Sequence, residues 1–173
     1  MYQTAPDFPA AESVLYNSPL GILILEADEA GLTAVRFSPE QAPDTAVRPG
    51  PITTRAAEWL DGYFSGSCPE PDFPLNLKGT PFQKEVWAIL QTIPAGKTMT
   101  YGEIARILAD RRGIDRMAAQ AVGQAVGKNP VCILVPCHRV LGQCQRLTGY
   151  AGGLERKKAL LTLEGAEFLF DSN

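Results

Sequence analysis

The sequence lacks the features that mark several classes of protein. It has a single histidine and four cysteines, Cys68, Cys132, Cys137 and Cys144, with no CxxC pair among them. This spacing argues against a zinc ribbon or a thioredoxin-type centre, and no metal or other cofactor is expected. The most notable apolar run, LGILIL, is far too short to span a membrane. The first ten residues show no basic region followed by an apolar stretch, so no signal peptide is predicted. We therefore expect a cytoplasmic protein with reduced thiols and no membrane partner.

Charge is divided unequally along the chain, although the net charge is only -3. Residues 1–79 hold 4 Lys and Arg against 11 Asp and Glu, whereas residues 80–173 hold 12 against 8. The excess of base in the second half fits a nucleic-acid partner, because phosphate binding relies on Lys and Arg. Ordinary solvated surface explains the same charge count equally well.

The first half has the pattern of a small α/β unit. Leu20–Glu26 and Leu32–Phe37 are predicted to be strands joined by a turn over Asp28 to Gly31, and TTRAAEWLDGYFSG is predicted to be a helix. The proline-rich segment SCPEPDFPLNLKG has the composition of a linker with a short extended piece. We place the domain boundary there, giving domains 1–79 and 80–173.

The second half is predicted to be helical. Thr80 with Gln83, and Thr100 with Glu103, each form the pattern of a capping box at a helix start. A third helix is predicted within RMAAQAVGQAVGKNP, ending before Asn129-Pro130, and a last one within LERKKALLTLEGAEF. Short helices with tight connections are compatible with a helix-turn-helix.

The segment VPCHRV, residues 135–140, contains the only histidine next to a cysteine. Most cysteines are small core residues, and Cys132 is interpreted in that way. Cys137 differs, because polar His138 and Arg139 interrupt what is otherwise predicted to be a buried strand. Adjacent strand residues point to opposite faces, so a sharp turn is needed to bring imidazole and thiol together. If they meet, directly or through water, His138 can deprotonate Cys137, and a carboxylate is then needed to orient the imidazole.

Together, NPVCILVPCHRV, the downstream TGYAGG and the late LEG closely resemble the O6-alkylguanine-DNA alkyltransferase family over residues 80–166. The resemblance implies an α/β protein with an N-terminal ribonuclease-H-like domain and a C-terminal helical domain with a helix-turn-helix. It also implies irreversible, stoichiometric repair of O6-alkylguanine in double-stranded DNA by a monomer, with O4-alkylthymine as a further candidate substrate. Such a protein is a single-turnover methyltransferase that flips the damaged base out of the duplex.

The resemblance assigns roles to individual residues. Cys137 is the alkyl acceptor, His138 its water-assisted base and Glu164 the carboxylate that orients His138. Tyr101 is the proton donor to the leaving guanine, and Asn129 belongs to the hinge between the DNA-binding helix and the active site. Backbone groups of Val140, Tyr150 and Ala151 hold the base. DNA contacts are expected from Gln120, Ala121, Gly123, Arg116, Lys128 and Arg139.

The sequence departs from the family pattern at two places. Gln120 stands where an arginine commonly fills the gap left by the flipped base, and ILADRRGIDRM lengthens the connection before that helix. Some members bind zinc in the N-terminal domain, but this chain has only Cys68 and no histidine there. Two other functions remain as alternatives at this point. One is a Cys-His-Glu hydrolase that turns over, and the other is a helix-turn-helix protein that binds damaged DNA with an inert thiol.

Overall fold

A computed structural model of the chain describes residues 12–39 and 47–170. The first ten residues, for which no signal peptide is predicted, lie outside the described part. Within the described residues, no helix is long and apolar enough to cross a membrane.

The first half contains a three-stranded antiparallel sheet in the order β1-β2-β3. The strands are β1 (Glu12–Ser18), β2 (Gly21–Asp28) and β3 (Gly31–Phe37). The predicted hairpin is confirmed as β2 and β3, and its turn is stabilised where Asp28 Oδ1 accepts the backbone N–H groups of Ala30 and Gly31. Strand β1 was not predicted, because its two fully buried positions are the polar residues Glu12 and Ser13.

Helix α1 (Pro51–Phe64) begins two residues before the Thr at which the sequence predicted it to start. Its first turn is capped from a distant strand, since the Glu12 carboxylate accepts hydrogen bonds from Ile52 N at 3.3 Å and Thr53 N at 2.7 Å. A carboxylate at a helix N-terminus satisfies free N–H groups and interacts favourably with the helix dipole. Buried Glu12 therefore fixes α1 against the sheet.

The second half contains four α-helices and a short parallel strand pair. The helices are α2 (Pro81–Leu90), α3 (Tyr101–Arg112), α4 (Ala119–Gly127) and α5 (Leu154–Leu163). The capping boxes at Thr80 and Thr100 are both present, as predicted. Strands β4 (Met99–Thr100) and β5 (Val140–Leu141) pair in parallel, which brings the start of α3 beside the segment that follows Cys137.

Two sequence predictions are corrected by the backbone. The last helix ends at Leu163 instead of continuing to residue 168, so Glu164 is its C-cap residue. The segment around Cys137 is not a strand, because Cys137–Arg139 forms a 3₁₀ turn. This turn is the sharp bend that the cysteine-histidine pair needs.

The core is continuous across both halves. It includes Leu23, Leu25 and Leu60 from the first half, and Trp87, Leu108 and Leu160 from the second, all at most 1% exposed. Edge strand β3 also bonds directly to the catalytic half, where Val35 N donates to Pro130 O and Cys132 N donates to Val35 O. The sheet thus supports the segment that leads to Cys137.

Candidate active site

Cys137 lies at the start of the 3₁₀ turn and is buried. The approach to it is held by Asn129, whose side chain donates to Val135 O at 2.7 Å and accepts from Val131 N at 3.0 Å. The two hydrogen bonds hold Val131 and Val135, the ends of the turn that contains Ile133, a β-branched residue at a φ of 72°. A conformation of this kind costs energy and persists only when its surroundings impose it. Asn129 therefore connects the end of α4 to the segment that precedes Cys137, and its role as a hinge stays a prediction.

His138 is fully buried, and its Nε2 lies 2.7 Å from Glu164 Oε1. The structure thus brings together His138 and Glu164, which are 26 positions apart and for which the family resemblance predicted contact. Because the partner is a carboxylate, Nε2 carries the proton and donates it, which leaves the lone pair on Nδ1. Nδ1 is buried with no hydrogen-bond partner among the described residues. Nδ1 is therefore the nitrogen of His138 that can accept a proton.

Glu164 is held in the ionised form. Burial of its side chain opposes this, but hydrogen bonds from His138 and Arg139 and their charges outweigh burial and lower its pKa to about 2. Arg139 binds both oxygens, with Nε at 2.9 Å from Oε2 and Nη2 at 2.7 Å from Oε1. A bidentate guanidinium of this kind fixes the plane of the carboxylate.

The prediction that Arg139 contacts DNA is wrong. The residue is only 5% exposed, and besides Glu164 it donates from Nη1 to Ile93 O at 2.6 Å. The guanidinium is thus buried and already bonded to a carboxylate and a carbonyl, which leaves it poorly placed to bind a phosphate. Sequence reasoning could not separate these roles, because an arginine beside an active-site thiol suits either one.

The pKa values of the thiol and the imidazole are displaced in opposite directions. Burial raises the pKa of Cys137, although a hydrogen bond from Asn129 and the charge of Lys157 partly offset it. Burial lowers the pKa of His138 in spite of the Glu164 carboxylate, which acts to raise it. The resting site therefore holds a neutral thiol near a neutral imidazole. A thiolate at Cys137 would have to be formed by proton transfer.

Lys157 is a site residue that the sequence analysis did not identify. It lies on α5, is fully buried, and its ammonium donates to Thr148 O and to Gly149 O at 3.1 Å. Burial lowers its pKa to about 8. A lysine is rarely buried unless it has partners. Here the two carbonyl groups are its partners and hold the ammonium in place. Through them it anchors the loop that leads to Tyr150.

A cavity of about 240 Å³ opens at the thiol. Its lining includes six of the predicted residues, Cys137, Asn129, Tyr101, Tyr150, Ala151 and Gly123. Burial raises the pKa of Tyr101, and interaction with Thr148 partly offsets this effect. Val140 is fully buried and does not line this cavity, so its predicted backbone contact to the base stays a prediction.

An open groove of about 560 Å³ shares Tyr101 and Gly123 with this cavity. Gln120 lines the groove from α4, and Gln124 and Gln143 add two further amides. The groove on the exposed surface of α4 therefore borders the thiol cavity at Tyr101 and Gly123. Gln143 was not predicted, because it lies after the Cys-His-Arg motif in a short irregular segment with no periodic pattern.

The remaining predicted DNA contacts are distributed around α4. Gln120, Arg116 and Lys128 are exposed, and Ala121 and Gly123 are half-buried. A Cβ added at Gly123 would lie 3.7 Å from the Tyr101 ring, which is ordinary contact distance. In the described part of the chain, no cluster of three or more His, Cys, Asp or Glu side chains could hold a metal ion.

Comparisons with known proteins agree over nearly the whole described chain. The family model described as 6-O-methylguanine DNA methyltransferase, DNA binding domain, matches residues 81–166, and the ribonuclease-like domain of the same family matches residues 13–77. A methylated-DNA–protein-cysteine methyltransferase of Methanosarcina acetivorans is 42% identical over 156 residues, covering 88% of this chain and 97% of the relative. Its counterpart from Mycobacterium bovis is 46% identical over 151 residues, covering 86% and 88%. The crystal structure of Mycobacterium tuberculosis OGT in complex with DNA is 44% identical with a TM-score of 0.74, covering 87% of this chain and 91% of that one.

Proposed function

This chain belongs to the 6-O-methylguanine DNA methyltransferase family, and we propose that it repairs O6-alkylguanine in double-stranded DNA by transferring the alkyl group to Cys137. The observation that carries the choice of acceptor is that Cys137 lines a cavity bordering the α4 groove, while the next residue, His138, is paired with Glu164. Of the four cysteines, only Cys137 adjoins this pair. The family excludes both alternatives left by the sequence, a hydrolase and a binding protein with an inert thiol.

The transfer step follows from the protonation states. His138 Nδ1 accepts the thiol proton through a bridging water, and Glu164 stabilises the imidazolium that results. Cys137 Sγ attacks the alkyl carbon, a carbon–sulfur bond forms, and the bond from that carbon to guanine O6 breaks. The Tyr101 hydroxyl supplies a proton to the departing guanine, and the proton taken up by His138 then restores that hydroxyl, so the overall products are S-alkylcysteine and guanine. The thioether has no hydrolytic route back, which makes each molecule act once.

Access to the base requires that it leave the duplex. We propose that α3 and α4 form a helix-turn-helix, with α4 at the minor groove and the Gln120 side chain in the space vacated by the flipped base. Arg116 and Lys128 are exposed and able to reach phosphates. We also propose that the boundary between the two domains lies near residue 79. The protein is proposed to act as a monomer in the cytoplasm, a location that fits repair of DNA.

The acceptor is tested by intact-protein and peptide mass spectrometry after incubation with an O6-methylguanine duplex. Cys132→Ser is a matched control, because Cys132 lines the same cavity but bonds to Val35 O instead of adjoining His138. Wild type and Cys132→Ser should each gain one methyl group, on Cys137, and Cys137→Ser should gain none. Methylation of Cys137→Ser, or repeated turnover by wild type, would refute the proposal.

A further inference from the structure

A tyrosine of the ribonuclease-like half reaches the catalytic carboxylate. Tyr63 lies near the end of α1, is only 2% exposed, and its hydroxyl donates to Glu164 Oε1 at 2.8 Å. The two residues are 101 positions apart in the sequence. No sequence pattern pointed to Tyr63, because its position fits the apolar face of α1 and predicts only a packing role.

The hydroxyl completes the coordination of Glu164. Oε1 accepts from His138 Nε2, Arg139 Nη2 and Tyr63 Oη, and Oε2 accepts from Arg139 Nε. A carboxylate offers about four acceptor positions, so the group is almost saturated and cannot rotate without losing a charge-assisted hydrogen bond. Arg139 sets its plane, and Tyr63 holds it from the opposite half of the molecule.

We infer that Tyr63 is a positioning residue for alkyl transfer, whose hydroxyl keeps Glu164 Oε1 directed at His138 and shares its negative charge. This inference rests on the proposed function, because it assumes that His138 is the base for Cys137. The aromatic ring has a separate structural role, stacking on Trp59 with centroids 5.4 Å apart and meeting Phe64 edge-on at 5.2 Å. Tyr63→Phe therefore removes the hydroxyl while the packing stays.

The charged surroundings of His138 set the direction of the effect. The groups that act on the imidazole are Glu164, which favours the imidazolium, and Arg139 and Lys157, which oppose it. Cys137 is un-ionised in the resting site. Without the Tyr63 hydroxyl, more negative charge remains on Oε1 beside His138, so the imidazole becomes easier to protonate. Below the raised pKa, a protonated His138 cannot accept the thiol proton. Above it the imidazole is neutral, and transfer is slowed because the carboxylate is less firmly oriented.

The closing experiment compares Tyr63→Phe with Tyr16→Phe. Tyr16 is a matched control, since its hydroxyl also donates to a carboxylate, Asp61 Oδ1 at 2.7 Å, but at an exposed position away from the site. The chain contains one histidine, so the ¹⁵N-labelled, tag-free protein gives a single pair of imidazole ring signals. Their titration follows His138 directly, and single-turnover transfer from an O6-methylguanine duplex is measured on the same samples across pH.

We expect Tyr63→Phe to raise the pKa of His138, to move the acid limb of the transfer rate to higher pH, and to slow transfer at saturating duplex about tenfold. Tyr16→Phe should match wild type in all three measurements. In a Glu164→Gln background, Tyr63→Phe should have no further effect, because the hydroxyl acts through the carboxylate. Melting curves set an assay temperature at which every variant is folded.

The outcomes distinguish failure of the role inferred for Tyr63 from failure of the proposed alkyl transfer. An unmoved His138 titration in Tyr63→Phe overturns the inference, and a slower transfer without that shift assigns Tyr63 a structural role only. An additive loss in the Glu164→Gln background also overturns it. If wild type transfers no methyl group, the proposed function fails, while the histidine titration still decides whether Tyr63 acts on the His138–Glu164 pair.

Discussion

Glu164→Gln tests the centre of the site, because one carboxylate there serves three side chains. The substitution keeps the volume and removes the charge. The present carboxylate accepts hydrogen bonds from His138, from two nitrogens of Arg139 and from Tyr63. The single oxygen of a glutamine can accept only some of these bonds, and the glutamine NH₂ group would face another hydrogen-bond donor. The Arg139 guanidinium would be left buried without its anion.

Breaking a buried ion pair on one side costs about 3–5 kcal/mol. The lowered pKa of Glu164 implies a similar loss in the free energy of unfolding, since a shift from 4.5 to about 2 corresponds to about 3 kcal/mol. For a chain of this length that loss lowers the melting temperature by about 6–20 °C. Because the folded pKa of Glu164 is depressed, its contribution is complete above pH 4.5 and is lost as pH falls towards 2. The difference between wild type and variant should shrink over the same range.

Transfer should fall by at least about 10²-fold, because glutamine cannot stabilise the imidazolium that forms in the reaction. Duplex binding should change little, since Glu164 lines neither the thiol cavity nor the α4 groove. Urea unfolding between pH 7 and pH 3, duplex binding and single-turnover transfer are the three measurements.

Glu85→Gln is the control for Glu164→Gln, because Glu85 also pairs with an arginine, at 2.9 Å, but both side chains are more than 40% exposed. An exposed pair of this kind is worth about 0–1 kcal/mol. Equal melting temperatures for the two variants, or equal losses of binding and transfer in Glu164→Gln, would refute the reasoning.

Three further predictions concern pH, the groove and the buried lysine. Because burial lowers the pKa of His138, the rate of single-turnover transfer should fall to half its maximum only at a pH below 6.5, and a half-maximal rate at or above that value would contradict this. Gln120→Ala should slow repair of duplex much more than reaction with free O6-benzylguanine, which needs no flipping, and Gln120→Arg should make duplex binding tighter and more salt-sensitive. Lys157→Met removes the donor to Thr148 O and Gly149 O, so it should slow reaction with both substrates about tenfold. A loss confined to duplex would show that Lys157 serves DNA binding instead.

Local features of the chain were predictable because their causes lie within a few residues. The capping boxes at Thr80 and Thr100 need only a side chain three positions away, and the β2–β3 turn needs only Asp28 and the N–H groups two and three positions after it. The reactive chemistry was also visible in the sequence, since Cys137 and His138 stand together in a specific motif. Their partner Glu164 came from family resemblance, because nothing in a linear pattern connects residues 26 positions apart.

Tertiary structure decided which groups surround that chemistry. Arg139 was expected at DNA and instead binds Glu164, because the 3₁₀ turn directs it inward, where a buried carboxylate stabilises its charge. Tyr63 and Lys157 looked like ordinary residues of amphipathic helices, and their roles appear only where α1 and α5 pack around the Cys137 turn. Contacts of this kind depend on how distant elements pack, and the amino-acid pattern of one helix does not specify which atoms lie against its buried face.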